Sequence, residues 1–228
     1  MRQEYREGNV WENKKITDGI HKITIEGRFL GGAGQFYMLR AWGIEPFLSR
    51  PFSVHDITCG SISFLYQVKG RGTEILSCLN YGDKIQLTGP LGHGFNTDIK
   101  GNVAIITGGI GLAPMKYLIK VLKNSCIDLF LGFKDKPYLI QEFTKYARSV
   151  NISTDSGEYG YKGFITDIFN PSLYDVVFCC GPIEMMKKVI KMCKEANTLV
   201  YISMEKQLAC GIGACLSCTC KTISGNTN

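Results

Sequence analysis

No apolar run in this chain approaches the ~18 residues that a membrane-spanning helix needs. Its N-terminal stretch, MRQEYREGNVWENKK, is too charged to hold the apolar segment of a secretory signal, which predicts a soluble, cytoplasmic protein. There is no internal repeat and no low-complexity linker, and the composition excludes disorder, collagen and coiled coil as the main architecture. The net charge of +6 suits anionic ligands such as dinucleotides. Its basic residues do not cluster or interleave with aromatics as single-strand nucleic-acid binders require, so no nucleic-acid partner is expected. Lys187, Lys188, Lys191 and Lys194 recur at helical spacing and read as a solvated helix face. Histidine is scarce: His21, His55 and His93 stand far apart, and none is read as a metal ligand. No Ser/His/Asp triad or pair of carboxylates offers acid–base or nucleophilic chemistry.

What is present is 228 residues of ordinary globular composition, 45% hydrophobic and 20% charged, enough for one large domain or two compact ones. Up to about residue 97 the chain reads as all-β. Short alternating runs such as Lys22-Ile23-Thr24-Ile25 and Ile62-Ser63-Phe64-Leu65-Tyr66 are separated by glycine turns such as Gly31-Gly32-Ala33-Gly34, which predicts an antiparallel barrel. From about 98 to 204 strands alternate with helices. Val103 to Ile106, Ile127 to Leu131 and Tyr174 to Cys180 are the strand candidates. A helix with Met115, Leu118, Ile119 and Leu122 on one face and another over 183–195 complete a doubly wound parallel sheet. Residues 205–228 form a glycine- and cysteine-rich loop.

Ten cysteines without an export signal argue against a disulfide framework, and four of them fall together: Cys210, Cys215, Cys218 and Cys220. The spacing C-x4-C-x2-C of the first three is the plant-type 2Fe–2S pattern. Gly211 and Gly213 permit the curvature that turns several thiolates inward. Zinc is the competing reading, but structural zinc pairs its cysteines across a longer spacer. The other six, Cys59, Cys78, Cys126, Cys179, Cys180 and Cys193, are expected mostly as small buried hydrophobes.

Two glycine signals belong to the α/β part. Thr107-Gly108-Gly109-Ile110-Gly111-Leu112-Ala113-Pro114 follows a strand and opens a helix, where backbone N–H groups can receive a pyrophosphate. Cys180-Gly181-Pro182 ends a later strand, so both lie on the rim where open parallel sheets bind ligands. In the β part, Arg50-Pro51-Phe52-Ser53 and Gly70-Arg71-Gly72-Thr73, with a helix candidate from Glu74 to Leu79 behind the latter, fit either a phosphate site or a surface loop.

Together with Leu65-Tyr66-Gln67 and Gly89-Pro90-Leu91-Gly92, these motifs resemble, in order and spacing, the ferredoxin–NADP reductase superfamily. With the cysteine-rich end, the chain is similar to the electron-transfer subunits of class 1B dihydroorotate dehydrogenases. The resemblance implies an FAD-binding barrel over 1–97, an NAD-binding α/β domain over 98–204 and a 2Fe–2S segment over 205–228. It implies that Arg50, Pro51, Phe52 and Ser53 hold the FAD phosphate and isoalloxazine edge. Leu65, Tyr66 and Gln67 would line the flavin, and Gly72 and Thr73 would receive the FAD pyrophosphate. Gly108, Gly109 and Gly111 would cradle NAD, Cys180 and Gly181 would sit near the nicotinamide, and Cys210, Cys215 and Cys218 would bind iron. His93 stands where an asparagine is common and reads as a turn residue.

The resemblance further implies that electrons from NADH leave through the cluster to an FMN-containing catalytic subunit, in a heterotetramer of two of each, in pyrimidine biosynthesis. The alternative is the small subunit of another NADH-linked flavin iron–sulfur reductase, of the ferredoxin:NADP oxidoreductase or sulfide dehydrogenase type. There an aspartate usually replaces the first cluster cysteine, whereas position 210 is Cys. In the family the fourth iron ligand lies a dozen or more residues past the third, which here falls beyond Asn228. The segment is therefore expected to be cut short, with a strand over Thr219–Ile223 and a turn at Ser224-Gly225-Asn226 awaiting a returning strand. The competing reading makes Cys220 the fourth ligand.

Overall fold

A computed structural model describes residues 4–220. Six antiparallel strands close into a barrel: β1 (Glu4–Thr17), β2 (Ile20–Glu26), β3 (Phe36–Arg40), β4 (Arg50–Ile57), β5 (Ser61–Gln67) and β6 (Lys84–Leu91), in the order β1-β2-β5-β4-β3-β6. The alternation read from sequence is the inward face. Ile23 and Ile25 of β2 and Ile62, Phe64 and Tyr66 of β5 fill the barrel with Leu39, Val54, Ile85 and Leu87. Burying a side chain of this size contributes roughly 1.5–3 kcal/mol. Leu65 points the other way, into a small cluster with Ile20 and Ala113. β5 is therefore apolar on both faces because its outer face is covered by the second unit. The helix α1 (Arg71–Ser77) closes the barrel with Leu76.

The second unit is a six-stranded, wholly parallel sheet. Its strands are β7 (Gly101–Gly108), β8 (Ser125–Phe133), β9 (Ser149–Thr154), β10 (Tyr161–Lys162), β11 (Val176–Cys180) and β12 (Leu199–Ser203), ordered β10-β9-β8-β7-β11-β12. Both faces are covered, which explains the unbroken run Val103-Ala104-Ile105-Ile106 in β7. Val103 and Ile105 pack with Met115, Leu118 and Ile119 of α2 (Met115–Val121). Ala104 and Ile106 pack with Met186, Val189 and Cys193 of α4 (Ile183–Glu195). The strand order reverses between β7 and β11, which opens a crevice at their carboxyl ends.

Helix α2 also fastens the sheet to the barrel. Lys120 Nζ donates to Asp56 Oδ1 at 2.7 Å and to the Ile57 carbonyl at 2.8 Å. The Tyr117 hydroxyl donates to the Gly31 carbonyl at 3.4 Å. Lys187, Lys188, Lys191 and Lys194 lie exposed along α4, where Lys187 pairs with Glu184 and Lys188 with Asp167.

Two expectations need correction. Of the six scattered cysteines only Cys179, Cys180 and Cys193 are buried. Cys59, Cys78 and Cys126 are exposed, because they sit in a turn, at a helix end and at the start of a strand rather than on an apolar face. The strand expected from Tyr174 begins at Val176, since the Tyr174 hydroxyl turns aside to donate to Asp128 Oδ2 at 3.0 Å. Beyond Cys220, the remainder of the expected strand to Ile223 and the turn at Ser224–Asn226 lie outside the described residues.

Candidate functional site

The barrel and the sheet meet at a cavity of about 560 Å³. The barrel wall is made by Pro51, Phe52 and Ser53 at the start of β4 and by Leu65, Tyr66 and Gln67 at the end of β5. These are the residues the family resemblance assigned to the flavin edge, and the structure brings both triplets to one surface. They meet because β4 and β5 are antiparallel neighbours. The Tyr66 phenol is held above its ordinary pKa by burial and donates to Asn13 Oδ1 at 3.2 Å, so it is a neutral donor at any physiological pH. Across the cavity stand Ile110 and Ala113 of the glycine loop, and Ile202, Ser203 and Met204 at the end of β12.

Arg50 and Gly72 are brought together at the edge of this wall. A Cβ on Gly72 would lie 2.8 Å from Arg50 Nε and 3.1 Å from the Trp42 ring. The Arg50 guanidinium lies over Trp42, 5.7 Å from the ring centroid, and donates to the Leu48 carbonyl at 2.5 Å. A backbone kept bare beside an arginine is a fitting cradle for a phosphate. The Thr73 hydroxyl donates to the Gly70 carbonyl at 2.8 Å and accepts from the Lys69 and Gly70 N–H groups, so it shapes the turn.

In the crevice between β7 and β11 the glycines divide by cause. A Cβ on Gly111 would stand 2.2 Å from the Cys180 carbonyl oxygen, and one on Gly181 would stand 2.8 Å from the Gly108 nitrogen. One on Gly108 would meet Pro182 at 2.6 Å. These three are glycines because the two loops touch. Gly109 alone faces open space, at φ +55°, the left-handed region that favours glycine. Residues 109–112 form a 3-10 turn before α2, with Gly111 and Leu112 buried. The Cys180 thiol is pushed up to about 12 by burial and stays protonated.

Gly211 (φ +71°), Gly213 (φ +78°) and Leu216 (φ +59°) are left-handed, which curls the cysteine loop. The Cys215 N–H donates to Cys210 Sγ at 3.4 Å. Ser217 and then Cys210 draw the Cys215 thiol down to about 6. Donor chemistry and inward-aimed backbone suit a thiolate-ligated cluster. Among the described residues no three Cys, His, Asp or Glu side chains converge into a finished metal cage, so the fit lies in the donors and the curvature. Cys218 and Cys220 line the same cavity as Pro51–Ser53.

The lining takes in Gly34, Ile110 and Ala113 from the glycine turn and the dinucleotide loop read in the sequence, and also Phe36, Lys69, Leu208 and the residues from Ile202 to Lys206. Sequence reading missed this second group, because its neighbourhood arises from tertiary contacts with no local motif. His93 lies in an exposed turn between Gly92 and Gly94. His55 is buried between the two units.

Comparison with known proteins converges on one group. Residues 205–228 match the iron–sulfur cluster binding domain of dihydroorotate dehydrogenase B. A dihydroorotate dehydrogenase B (NAD+) electron-transfer subunit from Clostridium acetobutylicum is 55% identical over 99% of this chain and 92% of its own length. The protein of the same name from Clostridium perfringens is 47% identical over 99% of this chain and 93% of its own. Among solved structures, an NADH-dependent reduced ferredoxin–NADP oxidoreductase superposes with a TM-score of 0.87 at 27% identity, covering 97% of this chain and 84% of that one. A ferredoxin–NADP+ reductase from Neisseria gonorrhoeae, at 16% identity and a TM-score of 0.71 over 88% of this chain and 99% of that one, shares the fold.

Proposed function

The chain belongs to the family of dihydroorotate dehydrogenase B electron-transfer subunits, and from that premise we propose how its own residues serve the transfer. The protein passes electrons between NAD(H) and a dihydroorotate dehydrogenase catalytic subunit by way of FAD and a 2Fe–2S cluster. FAD supplies a carrier that takes electrons in pairs and releases them singly, while the cluster carries one at a time. The chain supplies binding, orientation and exclusion of water.

Arg50 and the bare backbone at Gly72 hold the FAD phosphates, with Thr73 fixing the turn that presents Gly72. Pro51, Phe52 and Ser53 hold the isoalloxazine edge, and Leu65, Tyr66 and Gln67 line its face. Gly109, in open space, receives the NAD pyrophosphate, while Gly108, Gly111 and Gly181 let the two loops close and Cys180 lies beside the nicotinamide. Cys210, Cys215 and Cys218 hold iron. We take 1–97, 98–204 and 205–228 as the flavin, nicotinamide and cluster units. The partner is an FMN-containing catalytic subunit in a complex of two of each, in the cytoplasm, for pyrimidine biosynthesis. No described helix is long and apolar enough to cross a membrane.

One observation carries this reading. Residues of the flavin motif, the dinucleotide loop and the cysteine loop line a single cavity. Electron carriers seated there are near neighbours. The experiment is co-purification with the catalytic subunit followed by an absorbance spectrum and a dihydroorotate:NAD+ assay. Flavin and iron–sulfur bands with NAD+-dependent orotate formation are expected. A colourless protein that leaves the catalytic subunit's NAD+ activity at zero would refute the reading.

A further inference from the structure

We infer that His55 is a positioning residue that sets the gap between the flavin wall and the nicotinamide loop, an inference that rests on the functional reading above. His55 lies on β4, two residues beyond Ser53 of the cavity wall, and is 1% exposed. Its Nδ1 is 2.9 Å from the carbonyl oxygen of Ala113. A carbonyl can only accept, so Nδ1 carries a hydrogen and donates it to Ala113. Ala113 belongs to the glycine loop and itself lines the cavity opposite Ser53. One side chain thus ties the two walls between which flavin and nicotinamide must meet.

The second ring nitrogen makes no hydrogen bond: Nε2 is buried 3.7 Å from Glu142 Oε2. Glu142, on α3 (Gln141–Thr144), is in turn gripped from both units. Lys22 of β2 donates to Oε1 at 2.7 Å and Lys116 of α2 donates to Oε2 at 2.8 Å. The Phe143 ring closes the far side of the imidazole, 6.5 Å away in an edge-on arrangement. His55 therefore cannot swing without abandoning Ala113. A histidine that merely filled space would not need a donor aimed at the opposite wall.

Hydride transfer depends steeply on approach, and a misplacement of about 1 Å costs on the order of 100-fold. Losing the tie should then slow reduction of the flavin by NADH more than it weakens nicotinamide binding. The test compares wild type, His55→Leu and His55→Asn as FAD- and cluster-loaded protein in complex with the catalytic subunit. Asparagine keeps an N–H donor near the place of Nδ1, whereas leucine keeps the volume alone. Stopped-flow reduction by NADH gives the limiting rate and the apparent KM, and difference-absorbance titration with NAD+ gives a dissociation constant without turnover.

His55→Leu is expected to lose at least 10-fold in limiting rate with less than threefold change in NAD+ affinity and normal FAD content, and His55→Asn to recover most of that loss. A leucine variant as fast as wild type would overturn the proposal. So would an asparagine variant as slow as leucine, which would reduce His55 to packing. If leucine does not yield folded protein, His55→Met, which also fills the site without an N–H, is compared with asparagine by the same split, and a methionine variant as fast as wild type would overturn the proposal. Reduction of the wild type by NADH is the separate control for the functional reading.

Discussion

Arg50 and Gly72, far apart in sequence, lie so close that a single added carbon on the glycine would press on the arginine Nε at 2.8 Å. Gly72→Ala must therefore displace the guanidinium, and Arg50→Ala removes it. Losing a charge-assisted phosphate contact costs about 1.5–3 kcal/mol, which is roughly a tenfold to hundredfold loss of FAD affinity. Both variants are expected to release FAD on gel filtration while the folded barrel, read by circular dichroism, is kept. Retention of FAD by Arg50→Ala at the wild-type level would contradict the assignment.

The glycines of the nicotinamide loop should separate in their effects. Gly111→Ala drives a carbon to 2.2 Å from the Cys180 carbonyl oxygen, and backbone cannot yield cheaply. It is expected to lower the melting temperature markedly, by several degrees. Gly109→Val meets open space, so the strain of its left-handed backbone, about 1–2 kcal/mol, is the main folding penalty. Its fold should survive while bleaching of the flavin by NADH is blocked. Differential scanning calorimetry paired with stopped-flow absorbance distinguishes the two.

Glu142 ties stability to pH. His55, Lys116 and Lys22 hold its carboxyl well below the ordinary 4.5. A depressed folded-state value contributes stability that is fully present above the unfolded value and is lost as pH falls through the folded one. Glu142→Gln should therefore be less stable than wild type at pH 7, by about 1–3 kcal/mol. The difference should shrink progressively as the pH drops below 4.5. Urea titrations at pH 7 and pH 3.5 measure it, and a gap that widens in acid would be the wrong sign.

Cys210→Ser, Cys215→Ser and Cys218→Ser are each expected to abolish the EPR signal of the reduced 2Fe–2S cluster. Cys220→Ser should keep it, since its Sγ is turned toward the Cys218 carbonyl, 3.7 Å away. Loss of the signal in Cys220→Ser would make it a ligand.

The barrel and the parallel sheet were legible because their signals are local. Alternation in Lys22–Ile25, the two-faced apolar run in β7 and the 183–195 helix all follow from nearest-neighbour periodicity. The motif residues Pro51–Ser53 and Leu65–Gln67 also met on one surface, because antiparallel pairing carries adjacent strands side by side. What sequence could not supply is contact across the two units. His55 read as an isolated histidine because its partners, Ala113 and Glu142, lie 58 and 87 positions away. The Thr73 hydroxyl, after a glycine turn, has two uses in the sequence, and only the geometry shows that it donates to the Gly70 carbonyl. The glycines were legible as a loop but not by cause, since Gly111 and Gly181 are small on account of each other's strand.

The cavity walls come from residues 34–69, 110–113 and 202–220, three regions that a partly folded chain does not hold together. A ligand seated there recognises only the chain in which all three have assembled, so by mass action it draws every one of them toward the native state. FAD saturation then governs the lifetime of the cysteine loop as much as that of the barrel.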